Sequence, residues 1–204
     1  MAKIDKIEQL TKNHYLSMYH VHGVNSKGHE SDYMIASRSP DADGLKIRTR
    51  KDSADGVVIY SLYGEKRDRV VLIRQYRYPV DDFVYELPAG LVEDGEDFHT
   101  AAARELHEET GLTFSPIHAP EEFEHPRFTS VGMTDEACGT VYGYAEGKIS
   151  DRFMEEAEEI QVVLADRAEV RRILREERVA LICAYHMMHF LYDPDPFAFL
   201  GVSH

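Results

Sequence analysis

The sequence predicts a mixed α/β domain preceded by a small β-rich segment. The runs GVVIYSLY at 56–63 and RVVLIRQ at 69–75 are apolar and rich in β-branched residues, as buried strands are. Residues 97–110 carry apolar side chains at helical spacing, and a second apolar helical stretch lies near the C-terminus. Strands and helices alternate unevenly, so we expect a mixed sheet covered by helices rather than a doubly wound parallel sheet.

The first 55 residues are expected to form a separate β-subdomain. Three short β-like runs, Tyr15–Val24, Asp32–Ser37 and Gly44–Arg50, are separated by Gly, Asn, Ser and Pro. Such a small, polar sheet is marginal by itself, so we expect it to pack on the main domain or on another subunit. The charged, Gly-containing stretch 51–56 marks the boundary, which leaves 56–204 as the main domain.

The main domain is expected to begin with a hairpin, because the charged and Gly-containing residues 64–68 separate its first two strands. Its helix at 97–110 should end at Gly111, a residue typical of helix C-termini. Asp166 can cap a further helix of roughly ten residues. The remaining expected elements are strands at Phe83–Leu87, Glu122–Glu124, Thr140–Ala145 and Ile160–Ala165, and a helix at Val179–Leu191.

The composition excludes several classes of partner. A net charge of −14 argues against a broad basic surface for nucleic acid. No apolar run approaches the roughly 20 residues of a membrane-spanning helix, and the start MAKIDKIEQL lacks the apolar core of a signal peptide. Cys138 and Cys183 lack the spacing of a metal site and are expected as buried thiols. We therefore expect a cytoplasmic protein without nucleic-acid or membrane partners.

Three glutamates on the helix at 97–110 indicate a cation site. Glu105, Glu108 and Glu109 are three and four residues apart or adjacent, so they project together. Like charges at this spacing destabilise an isolated helix by about 0.2–0.5 kcal/mol per pair. A divalent cation is the natural compensation, because carboxylate oxygens suit hard ions such as Mg²⁺ or Mn²⁺.

The surroundings of these glutamates carry a family pattern. An acidic solvated helix face would explain the charges but not the Gly, Glu and Arg that accompany them at fixed spacing. The stretch 90–112, GLVEDGEDFHTAAARELHEETGL, resembles the Nudix box at each defined position. These positions are Gly90, Glu96, Arg104-Glu105-Leu106, Glu108-Glu109 and Gly111-Leu112.

The resemblance implies hydrolysis of a nucleoside diphosphate linked to another moiety, and an α/β/α sandwich around a mixed sheet. It implies that Glu105 and Glu109 bind Mg²⁺ (Mn²⁺ is also suitable) and that Glu108 is a further ligand or supports the ligands. Arg104 and Glu96 would orient the helix, and we count Glu108 and Arg104 among the catalytic residues.

The residues before the box resemble those of ADP-ribose and ADP-sugar pyrophosphatases. They read ELPAG at 86–90 and RQYRYP at 74–79. This likeness implies a metal contact from the Ala89 carbonyl and a diphosphate contact from Arg77, whose planar fork suits phosphate oxygens. Arg74 is either a second substrate contact or a surface charge. Glu86 either helps bind substrate or metal, or pairs with an arginine.

The catalytic base is expected from the acidic stretch at 155–159. In similar pyrophosphatases a Glu just before a late strand prepares the attacking water, which favours Glu156 here, with Glu158 as the alternative. A merely solvated acidic loop remains the competing interpretation.

The same group implies a homodimer through the N-terminal sheet and an aromatic residue stacked on the base. Tyr33 or Tyr19 would supply the ring unless both belong to the core. Glu136, in the polar loop 126–136, is expected to contact substrate or metal-bound water.

Val131 stands where many ADP-ribose enzymes have Pro, so a UDP-sugar or other nucleoside-diphosphate-linked substrate stays open. A nucleotide-sugar sensor without activity is the alternative of another class.

Overall fold

The computed structural model describes residues 3–93, 95–154 and 159–201, which form two compact units. Unit 1 comprises residues 1–55 and 126–138, and unit 2 comprises 56–125 and 139–204. The strands are β1 (Lys3–Gln9), β2 (Ser17–Val24), β3 (Glu30–Ser37), β4 (Gly56–Tyr63), β5 (Arg69–Arg77), β6 (Asp82–Glu86), β7 (Ala89–Leu91), β8 (Thr113–Ile117), β9 (Arg127–Phe128), β10 (Ala137–Glu146) and β11 (Ile160–Ala165). The helices are α1 (Lys46–Thr49), α2 (Phe98–Thr110), α3 (Glu121–Glu124), α4 (Arg167–Glu176) and α5 (Leu181–Tyr192).

Unit 1 is built on an antiparallel sheet in the order β1-β2-β3. Along β2 the side chains of Ser17, Tyr19 and Val21 are buried, while the alternating positions are more exposed. This period of two is that of a strand with one covered face. The two-residue strand β9 pairs with Ala137 and Cys138 at the start of β10.

Unit 2 contains a sheet in the order β11-β5-β4-β10-β8, with β6 added to β5 and β7 added to β4. Successive residues of β4 point to opposite faces. Val57 and Ile59 join the buried cluster that includes Ala102 and Leu106 of α2. Tyr60 instead contacts His186 of α5, with ring centroids 4.9 Å apart. Helices therefore cover both faces, and the predicted α/β class is confirmed.

Two predicted strands are wrong. Residues 44–50 contain helix α1, whose Lys46 amide donates to the Asp135 carboxylate at 3.0 Å. This partner lies 89 residues away, so the local pattern could not reveal it. Residues 122–124 belong to α3, whose acidic first turn is favoured by the helix dipole.

Four of the described strands were not predicted from the sequence. β1 is highly charged, and β7 and β9 have only three and two residues. β8 also went unrecognised, although it pairs with β10 over Thr113–Ile117. In the part of the chain that the structure describes, no helix is long and apolar enough to cross a membrane.

Candidate metal and substrate site

The acidic helix α2 is fixed at both ends by its own sequence. The Asp97 side chain accepts hydrogen bonds from the amides of His99 and Thr100, both at 3.2 Å. At the other end Gly111 adopts φ 73°, a left-handed conformation that glycine tolerates, and its amide donates to the His107 carbonyl at 2.8 Å. These caps fix the first and last residues of the helix, and they therefore fix which side chains lie on each face of its last two turns.

Gly90 leaves the space that the Glu105 carboxylate occupies. A Cβ built on Gly90 would lie only 1.8 Å from the Glu105 Cδ. Any other residue would therefore displace this carboxylate. The requirement for glycine at this position of the box is therefore steric. Gly90 is held in place because it pairs with Val57 of β4.

Glu109 connects the helix to the strand beside it. Its side chain is buried, with 3% of the residue exposed, and one carboxylate oxygen accepts a hydrogen bond from the Ala89 amide at 3.1 Å. Since Ala89 pairs with Val58 in the sheet, the carboxylate is held against the backbone of β7. The structure thus brings together the predicted metal ligands Ala89 and Glu109.

Arg104 is the centre of a carboxylate network. Its Nε and Nη2 donate to the two oxygens of Glu96 at 3.1 and 2.9 Å, a bidentate pair. Its Nη1 donates to Glu105 at 2.9 Å and to Glu108 at 3.0 Å. The remaining contact, from Nη2 to the Leu91 carbonyl at 3.0 Å, connects the helix to the end of β7.

The network affects the acid–base properties of its members. Hydrogen bonding to Arg104, together with the Glu93 amide, holds the pKa of Glu96 below its usual value. The Glu96 carboxylate in turn raises the pKa of Arg104. Three carboxylates of the box contact this one guanidinium, and Glu109 adds a fourth carboxylate beside Ala89, so the site keeps a formal surplus of negative charge that suits divalent cations.

Arg77 and Glu86 form a second pair close in sequence to the metal candidates. Arg77 Nε and Nη2 each donate to a Glu86 carboxylate oxygen at 2.7 Å. Glu86 thus pairs with an arginine, one of the two interpretations left open by the sequence. Because only two residues separate Glu86 from Ala89, the chain limits their separation to about 11 Å.

A cleft of about 270 Å³ adjoins Arg77. It is lined by Gln75, Tyr76, Arg77, Tyr78, Pro79 and Glu159. The Tyr76 amide donates to the Glu159 carbonyl at 3.1 Å, which anchors the chain just after the acidic stretch beside this cleft. Glu156 and Glu158, the two predicted bases, lie outside the described residues.

Arg74 lies on the same strand as Arg77 but has contacts within the sheet. Its Nη1 donates to the Gln161 side chain at 3.2 Å, and its guanidinium lies 4.4 Å from the centroid of the Phe83 ring. These contacts are those of an arginine that packs along a strand surface.

The remaining candidates belong to unit 1. Glu136 accepts from Arg38 Nε at 2.8 Å and from the Thr129 hydroxyl at 3.0 Å. Tyr33 is 48% exposed, and its hydroxyl donates to the Gly132 carbonyl at 2.7 Å. Tyr19 is fully buried and its hydroxyl donates to the Ser39 carbonyl at 2.6 Å, so it belongs to the core of this unit.

Sequence reasoning missed one cluster, formed by Glu8, His20, His22 and Asp32 in unit 1. The available signal was the His-x-His alternation of β2, which places both imidazoles on one face of a strand. The partners of these histidines come from two other strands, so the cluster required knowledge of the register.

The chain matches a known protein family over most of its length. The NUDIX domain family model matches residues 52–184. The chain is 38% identical over 112 residues to an ADP-ribose pyrophosphatase of Saccharomyces cerevisiae, covering 53% of this chain and 45% of the relative. It is 43% identical over 70 residues to an ADP-sugar pyrophosphatase of Mus musculus, covering 33% of this chain and 32% of the relative.

A solved structure of an ADP compounds hydrolase has a similar fold, with a TM-score of 0.60 and 16% identity. It covers 86% of this chain and 83% of that chain, and it supports the fold alone. The segments matched to the curated relatives span about half or less of their lengths. Because the family model covers well over half of the sequence, the chain belongs to the NUDIX domain family.

Proposed function

We propose that this protein hydrolyses the pyrophosphate bond of a nucleoside diphosphate sugar in a divalent-metal-dependent reaction. The products would be a nucleoside monophosphate and a sugar phosphate. The observation that carries the proposal is the packing of the Glu105 carboxylate against Gly90 and the hydrogen bond from the Ala89 amide to Glu109, with Arg104 donating to Glu105. This arrangement is a carboxylate-rich site that suits a hard cation.

Glu105, Glu109 and the Ala89 carbonyl would hold Mg²⁺, or Mn²⁺ in its place, with Glu108 as a further ligand or support. The bound cation supplies neutralisation of phosphate charge and activation of water. Arg104 would keep Glu105 and Glu108 in position, since its Nη1 donates to both while its Nε and Nη2 are paired with Glu96. Removing a group that only positions the ligands should lower turnover without abolishing metal binding.

Arg77 would bind the diphosphate in the cleft beside it. In the described structure its fork is occupied by Glu86, and an incoming phosphate offers the same pattern of two acceptor oxygens. Glu86 would then act by holding Arg77 in the correct orientation before substrate arrives. Arg74, on the same strand, is proposed as a weaker contact.

Glu156 is proposed as the general base, with Glu158 as the alternative. The support is the anchoring of the adjacent Glu159 to Tyr76 at the Arg77 cleft. Comparing Glu156→Gln with Glu158→Gln tests this: the base variant should lose about 10²-fold or more in turnover. If neither variant slows the reaction, the base lies elsewhere.

ADP-ribose or an ADP-sugar is the proposed substrate. The support is the likeness to an ADP-ribose pyrophosphatase and an ADP-sugar pyrophosphatase, together with the ELPAG flank at 86–90. A UDP-sugar is the second candidate, favoured by Val131 in the loop of unit 1. A sensor without activity would bind these molecules with the same residues but release them intact.

The N-terminal segment 1–55 is proposed to mediate a homodimer and to supply Tyr33 as the base-stacking residue, with Glu136 as a further contact. Sedimentation of the full chain tests the dimer, and a monomer at working concentration would contradict the proposed homodimer.

A cytoplasmic location is proposed because both described cysteines are free thiols. Nucleic acid is not proposed as a partner because the net charge is −14.

A panel of substrates tests the central proposal. ADP-ribose, ADP-glucose, UDP-glucose, GDP-mannose, NADH and a diadenosine polyphosphate are incubated with the full chain, with and without Mg²⁺, and the products are separated by chromatography. The proposal expects cleavage of the ADP compounds that requires Mg²⁺ and yields AMP. Binding without cleavage of every compound would favour the sensor, and a preference for UDP-glucose would correct the substrate.

A further inference from the structure

The exposed face of the unit 1 sheet carries a cluster of two imidazoles and two carboxylates. His20 and His22 are two residues apart on β2, so they project from the same face. Glu8 lies opposite His20 on β1, and Asp32 lies opposite His22 on β3. The register of three strands, rather than any local motif, therefore brings these four side chains together.

The distances within the cluster suit a metal ion. The Nε2 atom of His22 lies 3.1 Å from a carboxylate oxygen of Glu8. Donor atoms from Glu8, His20 and His22 all lie within 4.8 Å of one another. Two donors of a tetrahedral zinc ion, each about 2.0–2.1 Å from the metal, would be about 3.3 Å apart. The pair from His22 and Glu8 is thus already near its coordinating separation.

The hydrogen bonds of His22 leave a place for a cation. Its Nδ1 faces Asp32 at 2.8 Å while its Nε2 faces Glu8 at 3.1 Å. A neutral imidazole carries a single N–H and can donate to only one of two carboxylates. A cation at Nε2 resolves this, because Nδ1–H then donates to Asp32, as metal-bound histidines commonly donate to a carboxylate.

The remaining neighbours define the size and charge of the site. The rings of His20 and His22 are in contact, with centroids 3.8 Å apart, and His20 Nε2 lies 3.6 Å from Asp32. Lys6 pairs with the other oxygen of Glu8, so Glu8 offers one free oxygen rather than two. The histidine side chains are 24% and 32% exposed, which leaves access for an ion and for a water ligand.

We propose that Glu8, His20 and His22 form a binding site for a transition-metal ion of the zinc class, with Asp32 orienting His22. Two imidazoles and one carboxylate favour zinc over magnesium, which prefers oxygen ligands alone. The site differs in chemistry from the all-carboxylate box. It does not depend on the proposed hydrolase function.

Zinc titration of the full chain tests the site. The metal-free protein competes with a coloured zinc chelator in saturating Mg²⁺, which competes with zinc for sites made of carboxylates alone. The wild type is compared with His20→Asn, His22→Asn and the matched control His29→Asn, which changes an exposed histidine at the turn before β3. Circular dichroism checks that each variant keeps its secondary structure.

We expect wild type and the His29→Asn control to bind one more equivalent of zinc than the two cluster variants. Asp32→Asn should keep the stoichiometry but lower the affinity by about 10- to 100-fold. Lys6→Met should tighten binding, because it removes a competing cation from Glu8. Co²⁺ in place of zinc should give visible absorption bands of a nitrogen-containing site that the cluster variants lack.

Two results would overturn the proposal. Equal zinc stoichiometry in wild type and in both folded cluster variants would place the zinc elsewhere. Absence of zinc binding by the wild type at micromolar concentration would leave only a hydrogen-bonded network of histidines and carboxylates. If His22→Asn fails to fold, Glu8→Gln makes the same comparison. The Glu8 side chain is 41% exposed, and glutamine has nearly the same size.

Discussion

Replacing Gly90 by alanine tests how closely β7 fits the acidic helix. The new Cβ would lie 1.8 Å from the Glu105 Cδ, and ordinary contacts begin at 3.4 Å, so the two groups must separate by about 1.6 Å. Metal ligands tolerate only about 0.2 Å of error. We therefore expect Glu105 to leave its metal-binding position, while its flexible side chain limits the loss of stability to about 1–3 kcal/mol.

The assay is the initial rate of diphosphate hydrolysis as a function of Mg²⁺ concentration, with thermal unfolding in parallel. Gly90→Ala should raise the Mg²⁺ concentration for half-activity and lower kcat by about 10²-fold or more. Gly139→Ala is the control, because its Cβ would meet no atom closer than 3.4 Å. The double variant Gly90→Ala/Glu105→Ala is compared with Glu105→Ala alone. If the two have the same rate, the Gly90 substitution acts through the Glu105 carboxylate. Unchanged kcat and Mg²⁺ dependence in Gly90→Ala would refute the reasoning.

Three further predictions use the same preparation. Arg77→Ala should raise KM about 10-fold and lower kcat less, because its fork is proposed to bind rather than react; a selective loss of kcat would contradict this. Arg104→Lys should slow turnover about 10²-fold although the charge is kept, since lysine cannot make the bidentate pair with Glu96; wild-type kinetics would show that the network is dispensable. Partial burial raises the pKa of the Cys138 thiol to about 11, so a thiol reagent should react slowly at pH 8 and faster as pH rises towards 11; rapid reaction at pH 7 would contradict the raised pKa.

The sequence predicted the position of helix α2 well because the signals there are local. Asp97 caps the helix and Gly111 ends it, so the two residues that begin and end the element lie beside it in sequence. The spacing of Glu105 and Glu109 fixes their side chains by helical geometry alone. The strands β4, β5 and β11 were also recognised from their apolar runs, and in β4 and the first half of β5 these runs reflect burial on both faces of the sheet.

The elements that escaped prediction depend on distant partners. Helix α1 receives the Asp135 carboxylate from 89 residues away. Strand β1 carries too many charges to show a strand pattern, and its register slips between Ile4 and Lys6. The histidine cluster is the clearest case, because its acidic members come from β1 and β3 and only their pairing with β2 assembles it.

The mutual contacts within the box were likewise beyond the sequence. Spacing indicated that Gly90 belongs to the motif, but only the coordinates give its reason, the contact with the Glu105 carboxylate. In the same way, the bidentate pairing of Arg77 with Glu86 does not follow from strand register, which places Arg77 opposite Asp82 and Glu86 opposite Ile73. Substrate choice depends on loop shape and on any second subunit, which spacing does not encode.

Hydrolysis of ADP-ribose by Glu109→Gln measures the central claim most directly. Glu109 is buried and accepts a hydrogen bond from the Ala89 backbone amide. Glutamine keeps the size of this side chain while removing the charge offered to the metal. Glu121→Gln, which changes an exposed carboxylate on α3, is the control. The account predicts that wild type and the control release AMP and ribose 5-phosphate only with Mg²⁺, and that Glu109→Gln loses orders of magnitude in kcat with its fold intact. Full activity of Glu109→Gln would contradict it.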